Sequence, residues 1–272
     1  MTLGGGGNVW GVAVDATQVF WGIQEGGQTM RASLTGAGTE SVGMNGGWTV
    51  AVDDTEVYSV DPSGTVLACP KSGCTGAPRT VASGTGSMGI AVDDTNVYWA
   101  GNGVYAAPKA GGSTTTLTEA GDPYEVAVDD SYVYWTDNGG PVMRVAKGGG
   151  TPQKIADTTP QNSFGPMGIA VDCANAYFLT SDGKVWQVPK DGSAPPVVLA
   201  SDGGNEPWGI AVDGANVYYA ANGPSGGGVE SVPIGGGCVT VLASGVGYVA
   251  GVAVDAKNVT FASGSSVLSV PK

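Results

Sequence analysis

Apolar residues in this chain come in short runs, each broken by glycine, aspartate or proline before it reaches helical length. In one such run, Met88-Gly89-Ile90-Ala91-Val92-Asp93, large and small side chains alternate. A period of two predicts a strand, with Met88, Ile90 and Val92 on one face and Gly89, Ala91 and Asp93 on the other. A tight turn leads to a second run, Asn96-Val97-Tyr98-Trp99-Ala100. Third runs often end in Pro-Lys before a glycine turn, as in VYAAPKAGG (104–112) and VWQVPKDGS (185–193). A fourth follows, such as TTTLTEA (114–120) or PVVLASD (196–202). No helical period is present. Four short strands joined by tight turns predict one twisted antiparallel sheet.

The pattern recurs. A Val/Ile-Ala-Val-Asp tetrapeptide occurs seven times, ending at Asp15, Asp53, Asp93, Asp129, Asp172, Asp213 and Asp255, with spacings of 38, 40, 36, 43, 41 and 42 residues. That period matches the roughly 40–45 residues of a four-stranded propeller blade. Each sheet is apolar on both faces, so it is stable only when stacked on its neighbours, and closing the stack into a ring leaves no exposed end. The expected fold is all-β: a seven-bladed β-propeller of four antiparallel strands per blade, one domain over 1–272. Blades begin near 10, 48, 88, 124, 167, 208 and 250. The chain ends on a third strand, SVLSVPK (266–272), and MTLGGGGNVWGVAVD at its start aligns with VTVLASGVGYVAGVAVD (239–255). Residues 1–4 are therefore expected to supply the missing outer strand of the last blade and latch the ring.

Composition sharpens this picture. Glycine (48) and proline (16) are abundant, but 42% hydrophobic and 13% charged residues describe a packed chain rather than a disordered one. With 11 basic against 24 acidic residues the net charge is −13, which argues against nucleic acid and anionic membranes as partners. Nothing reaches the roughly 18 consecutive apolar residues of a membrane span, and the first residues lack the basic and apolar regions of a signal peptide. Histidine is absent, which rules out Ser-His-Asp and Cys-His nucleophile systems and histidine zinc sites.

Blade four reads Tyr134-Trp135-Thr136-Asp137, and the repeat Gly-Ile-Ala-Val-Asp before a Tyr-Trp strand resembles β-propellers of the YWTD and NHL type over the whole chain. The resemblance implies the fold. It spans receptor ectodomains, sensors and enzymes, and the receptor YWTD modules have six blades rather than seven. Propeller lyases of the virginiamycin-lyase and peptide-amidating types use histidines, absent here. Lactonase-type propellers hold a divalent metal through Glu, Asn and Asp at the channel mouth. Here the inner-strand glycine position is acidic only at Glu125, with Asp122, Asn162, Asn205 and Glu206 in neighbouring mouth loops.

Two sets of residues recur at fixed places. The seven aspartates end a strand and enter a turn, where their carboxylates accept the turn's own N–H groups; a Ca²⁺ ring is the alternative, and no cofactor is expected. Asp54, Asp94 and Asp130 could add weak surface cation sites. The second set opens the innermost strands: Trp10, Trp48, Met88, Tyr124, Met167, Trp208 and Ala250. These side chains ring one mouth, where loops vary from AGDPY (120–124) to DTTPQNSFGPM (157–167). The first six are ligand-binding candidates for a protein, peptide or glycan, unless they only plug the channel and pack between blades.

Cys69 and Cys74 flank the turn Pro70-Lys71-Ser72-Gly73 of one hairpin, where facing α-carbons lie within disulfide reach. A disulfide is expected, a C-x4-C zinc half-site being the alternative. Such a bond points to a secreted, periplasmic or cell-surface location. Cys173 and Cys238 belong to different blades and are expected to remain unpaired. The leading functional expectation is a non-catalytic surface binding module; a metal-dependent lactonase-like hydrolase and a self-assembling surface subunit are the alternatives.

Overall fold

The computed structural model describes the chain except residues 62, 85, 87, 120, 139, 158–165, 202, 203, 205, 206 and 225. Its strands form seven antiparallel four-stranded sheets, and no helix is long and apolar enough to cross a membrane. Blade 3 shows the plan, with Ile90–Val92 innermost, then Asn96–Ala100, Val104–Pro108 and Thr115–Thr118 outermost. The expected seven-bladed propeller is the observed fold.

Blade 7 is built from both chain ends. Val249–Val254, Asn258–Ser263 and Ser266–Pro271 are completed by Thr2–Gly5, which pairs Thr2 with Leu268, Gly4 with Val267 and Gly5 with Ser266. The Met1 ammonium donates to the Ser269 carbonyl (2.6 Å), and Leu3, 2% exposed, sinks between blades 7 and 1 beside Val9, Trp21 and Val267.

Seven apolar clusters are distributed one to each interface between adjacent blades, including the one between blades 7 and 1. Second-strand residues dominate them: Trp21, Tyr58, Trp99, Trp135, Phe178, Tyr219 and Phe261 are all essentially inaccessible. Each such side chain contributes roughly 1.5–3 kcal/mol on burial, so the ring has a core without any helix.

One expected facing is corrected. Ile90 and Val92 pack towards blade 2, but Met88 packs with Ala91 against Val126 and Trp135 of blade 4. Met88 N–H donates to the Ala100 carbonyl while Ala100 N–H donates to the Gly89 carbonyl, so two residues face one. That extra residue inverts the alternation upstream of it. Blades 1, 4, 5 and 7 show the same register shift at the same place.

Candidate functional site

The motif aspartates are bound into the fold. In every blade the Asp Oδ1 accepts from the N–H groups two and three residues on, at 2.7–3.0 Å. In five blades Oδ2 accepts from a tyrosine hydroxyl of the second strand: Tyr58, Tyr98, Tyr134, Tyr177 and Tyr218. In five blades a lysine just past the next blade's third strand also bridges to the motif carboxylate. These pairs are Lys71–Asp15, Lys109–Asp53, Lys147–Asp93, Lys190–Asp129 and Lys272–Asp213, at 2.5–2.8 Å. Burial disfavours the charged carboxylates, yet the ammonium and the turn amides outweigh it. Asp129 and Asp213 are held at about 2, and Asp53 and Asp93 lie lower still.

This interblade staple is what sequence reasoning missed. Its trace was visible in the lysine that follows the third run in five of the repeats. Leu34 and Ile234 occupy the lysine position in blades 1 and 6, as their shared N–H bond to the preceding turn shows, and Asp255 and Asp172 lack the staple accordingly. Asp255 Oδ2, facing Thr260 rather than a tyrosine, is buried with no hydrogen-bond partner among the described residues. Asp54, Asp94 and Asp130 are exposed, and no group of three or more metal-binding side chains occurs among the described residues. Asn162, Asn205 and Glu206 lie outside the described residues, as does most of the 157–167 loop.

The collar residues divide into two groups. Trp10 lies 5.9 Å, centroid to centroid, from both Trp48 and Trp208, and Trp208 lies 5.3 Å from Tyr124. These rings come from blades 1, 2, 6 and 4, so contacts between non-adjacent blades show that they reach across the channel axis. All four are half-buried, in tilted or edge-on contact. The methionines do not join them. Met88 packs into the interface of blades 3 and 4; Met167 is 4% exposed, and its carbonyl accepts from Thr136 Oγ1 at 2.5 Å. Ala250 is 5% exposed between blades 7 and 1.

A partly open cavity of about 190 Å³ adjoins these rings, lined by Trp10, Trp208 and the first residues of the inner strands. Close approach of those strands explains their glycines: a Cβ on Gly11 would lie 2.7 Å from the Trp48 carbonyl oxygen, and one on Gly251 2.6 Å from that of Trp10. In blade 4 the equivalent position is Glu125. Its carboxylate lies against Gly89, where a Cβ would come within 2.6 Å of Oε1. Burial pushes the Glu125 carboxyl up to about 8, only partly offset by the Val126 N–H.

The expected Cys69–Cys74 disulfide is present, with α-carbons 5.3 Å apart. Cys173 and Cys238 are free and exposed.

No family model matches the chain, and no curated protein matches it in sequence. Solved structures match in fold. Virginiamycin B lyase of Staphylococcus aureus, solved as a catalytically inactive histidine-to-alanine variant with quinupristin, superposes with a TM-score of 0.78 at 14% identity, covering 97% of this chain and 95% of that one. A chain of the nidogen/laminin complex gives 0.62 at 22% identity, over 76% of this chain and 84% of that one. The computationally designed protein Ika8 gives 0.68 at 13% identity, over 100% and 98%. These similarities establish a YWTD/NHL-like propeller fold.

Proposed function

We propose that this propeller is a non-catalytic, extracellular recognition module whose partner is a protein docking on the aromatic mouth. One observation supports this reading above the rest: Trp48, Trp10, Trp208 and Tyr124, from four blades, form one half-buried aromatic surface across the channel end. The rings present their outer faces at the mouth, so a docking protein meets that aromatic surface first. Tryptophan and tyrosine presented on a rigid support are the residue types that dominate binding energy at protein interfaces. The disulfide supports an extracellular location. The similar fold in a nidogen/laminin complex supports a protein partner over a peptide or glycan. The lyase likeness argues less for an enzyme, because that protein is inactive once a histidine is replaced and this chain has no histidine.

The test is selection of a phage-displayed library of small folded domains on immobilised protein, in parallel with a glycan array. Wild type is expected to enrich binders that Trp48→Ala and Tyr124→Ala lose by at least tenfold while keeping their circular dichroism. Enrichment that survives both substitutions would place recognition elsewhere, and glycan signals lost with the same substitutions would replace the protein partner by a sugar.

A further inference from the structure

Beneath the rings, Glu125 is an anomaly in its chemistry. It is the one ionisable side chain among the described residues lining the cavity, and the others are apolar, glycine or Thr49. Its strand packs on Tyr132–Asp137 of its own blade, on Pro166–Val171 of blade 5, and on Ile90–Val92 and Asn96–Ala100 of blade 3. The ionisable groups on those elements are Tyr132, Tyr134, Asp137 and Tyr98, with Tyr124 on its own strand; none lines the cavity and none is a cation. The described surroundings thus hold a carboxyl with no countercharge.

We infer that the channel cavity binds a small organic cation, an alkylammonium head group, with Glu125 as counter-ion and Trp10 and Trp208 as the aromatic walls. Three observations converge on that chemistry. An ammonium is drawn to the face of tryptophan within about 6 Å, most strongly where both are desolvated. The volume, about 190 Å³, exceeds the ~150 Å³ cavity that admits benzene, so a tetramethylammonium-sized guest fits. The net charge of −13 favours cations at long range. A divalent metal ion fits poorly, because Ca²⁺ needs roughly six to eight oxygen ligands and the lining offers one carboxylate.

Binding a cation requires the ionised carboxyl, so uptake below the Glu125 pKa of about 8 releases a proton. At pH 7 about one molecule in ten carries the charge, so the affinity measured there is expected to be about tenfold weaker than at pH 9 and above.

The experiment is calorimetric titration of the full chain with tetramethylammonium chloride at pH 6.5, 7, 8 and 9. The controls are 3,3-dimethylbutan-1-ol, a neutral isostere of choline, and calcium chloride; acetyl-trimethyllysine-methylamide is the peptide-borne cation. Tetramethylammonium is expected to bind, the neutral alcohol at least tenfold more weakly, and affinity to rise with pH to a plateau. Glu125→Gln and Trp208→Ala should each lose at least tenfold. Trp48→Ala should retain binding, since Trp48 does not line the cavity; loss of the protein partner by that variant alone would separate the two readings. Binding of the lysine derivative as well assigns the source to a protein side chain, and its failure beside bound tetramethylammonium assigns it to a free amine; both support the proposal. Equal binding of the neutral alcohol, affinity unchanged in Glu125→Gln, or calcium competing for the cavity would each overturn it. Should Glu125→Gln not fold, a flat wild-type pH profile would overturn it alone.

Discussion

The closure of the ring is the most consequential feature to perturb, and Leu3 is the place to do so. Thr2–Gly5 lies some 260 residues from its partner strand, yet Leu3 is 2% exposed in the cluster joining blades 7 and 1. Leu3→Ala leaves the strand pairing in place and removes the packing beneath it, which costs about 2–5 kcal/mol in well-filled cores. A value near 3 kcal/mol is expected, because Trp21, Ile23 and Val267 surround the site and belong to rigid second and third strands. For 272 residues the unfolding entropy is about 0.57 kcal/mol per kelvin, so the melting temperature should fall by about 5 °C. Thr2→Ala serves as control: Thr2 is exposed on the same strand, and a change within about 0.5 kcal/mol is expected. Gly5→Ala tests the same latch from the opposite side, since a Cβ there runs into the Ser265 carbonyl oxygen across the pair. Differential scanning calorimetry and urea titration by tryptophan fluorescence would read all three. If Leu3→Ala and Gly5→Ala both melt with wild type, the first strand does not hold the ring shut, and the stability argument for closure fails.

Three further outcomes follow from the staples and the disulfide. Lys109→Met removes the ammonium 2.7 Å from Asp53 Oδ2 between blades 2 and 3; a loss of about 1 kcal/mol is expected, smaller in high salt, read as a shift in urea midpoint. The stapled aspartates have pKa values below their ordinary 3.8, so their stabilisation is complete above about pH 4 and disappears as pH falls towards 2. Allowing for solvent screening, roughly 1 kcal/mol each is expected from Asp129 and Asp213, and a urea midpoint level from pH 5 to pH 2 would contradict it. Thiol titration of denatured protein should count two thiols before reduction and four after, and reduction should cost about 2 kcal/mol for so short a loop.

The sequence pattern carried the fold because a repeat states the same local instruction seven times. Val-Ala-Val-Asp names an inner strand and its turn, and seven agreeing copies leave little freedom for any other architecture. What it could not carry were features set by three-dimensional register. The alternation in Met88–Asp93 failed at Met88 because a bulge depends on how two strands pair, and nothing in the local alternation marks the extra residue. The Lys–Asp staples failed for a related reason. Lys71 and Asp15 are 56 positions apart, and only the offset between adjacent blades brings the end of one third strand over the first turn of the blade before. A signal did exist: the two repeats without lysine carry Leu34 and Ile234 at that place, so a comparison of columns between repeats could have exposed the pairing.

The same column logic bears on the candidate site. The position after the collar residue is glycine in five blades, and the close approach of Gly11 to Trp48 and of Gly251 to Trp10 shows why a side chain is costly there. Blade 4 departs with the largest side chain of the seven, ionisable and half-buried, and its neighbour in blade 3 yields by being Gly89. Folding alone does not ask for this. A glycine would pack as in those five blades and would avoid desolvating a carboxyl at a cost of roughly 1–3 kcal/mol. In a ring whose stability comes from sameness, the informative residues are those that break the repeat without improving the packing. By that criterion the proposed cation site rests on Glu125, which lines the same cavity as Trp10 and Trp208, rather than on the seven aspartates, whose uniformity is explained by the turns they close.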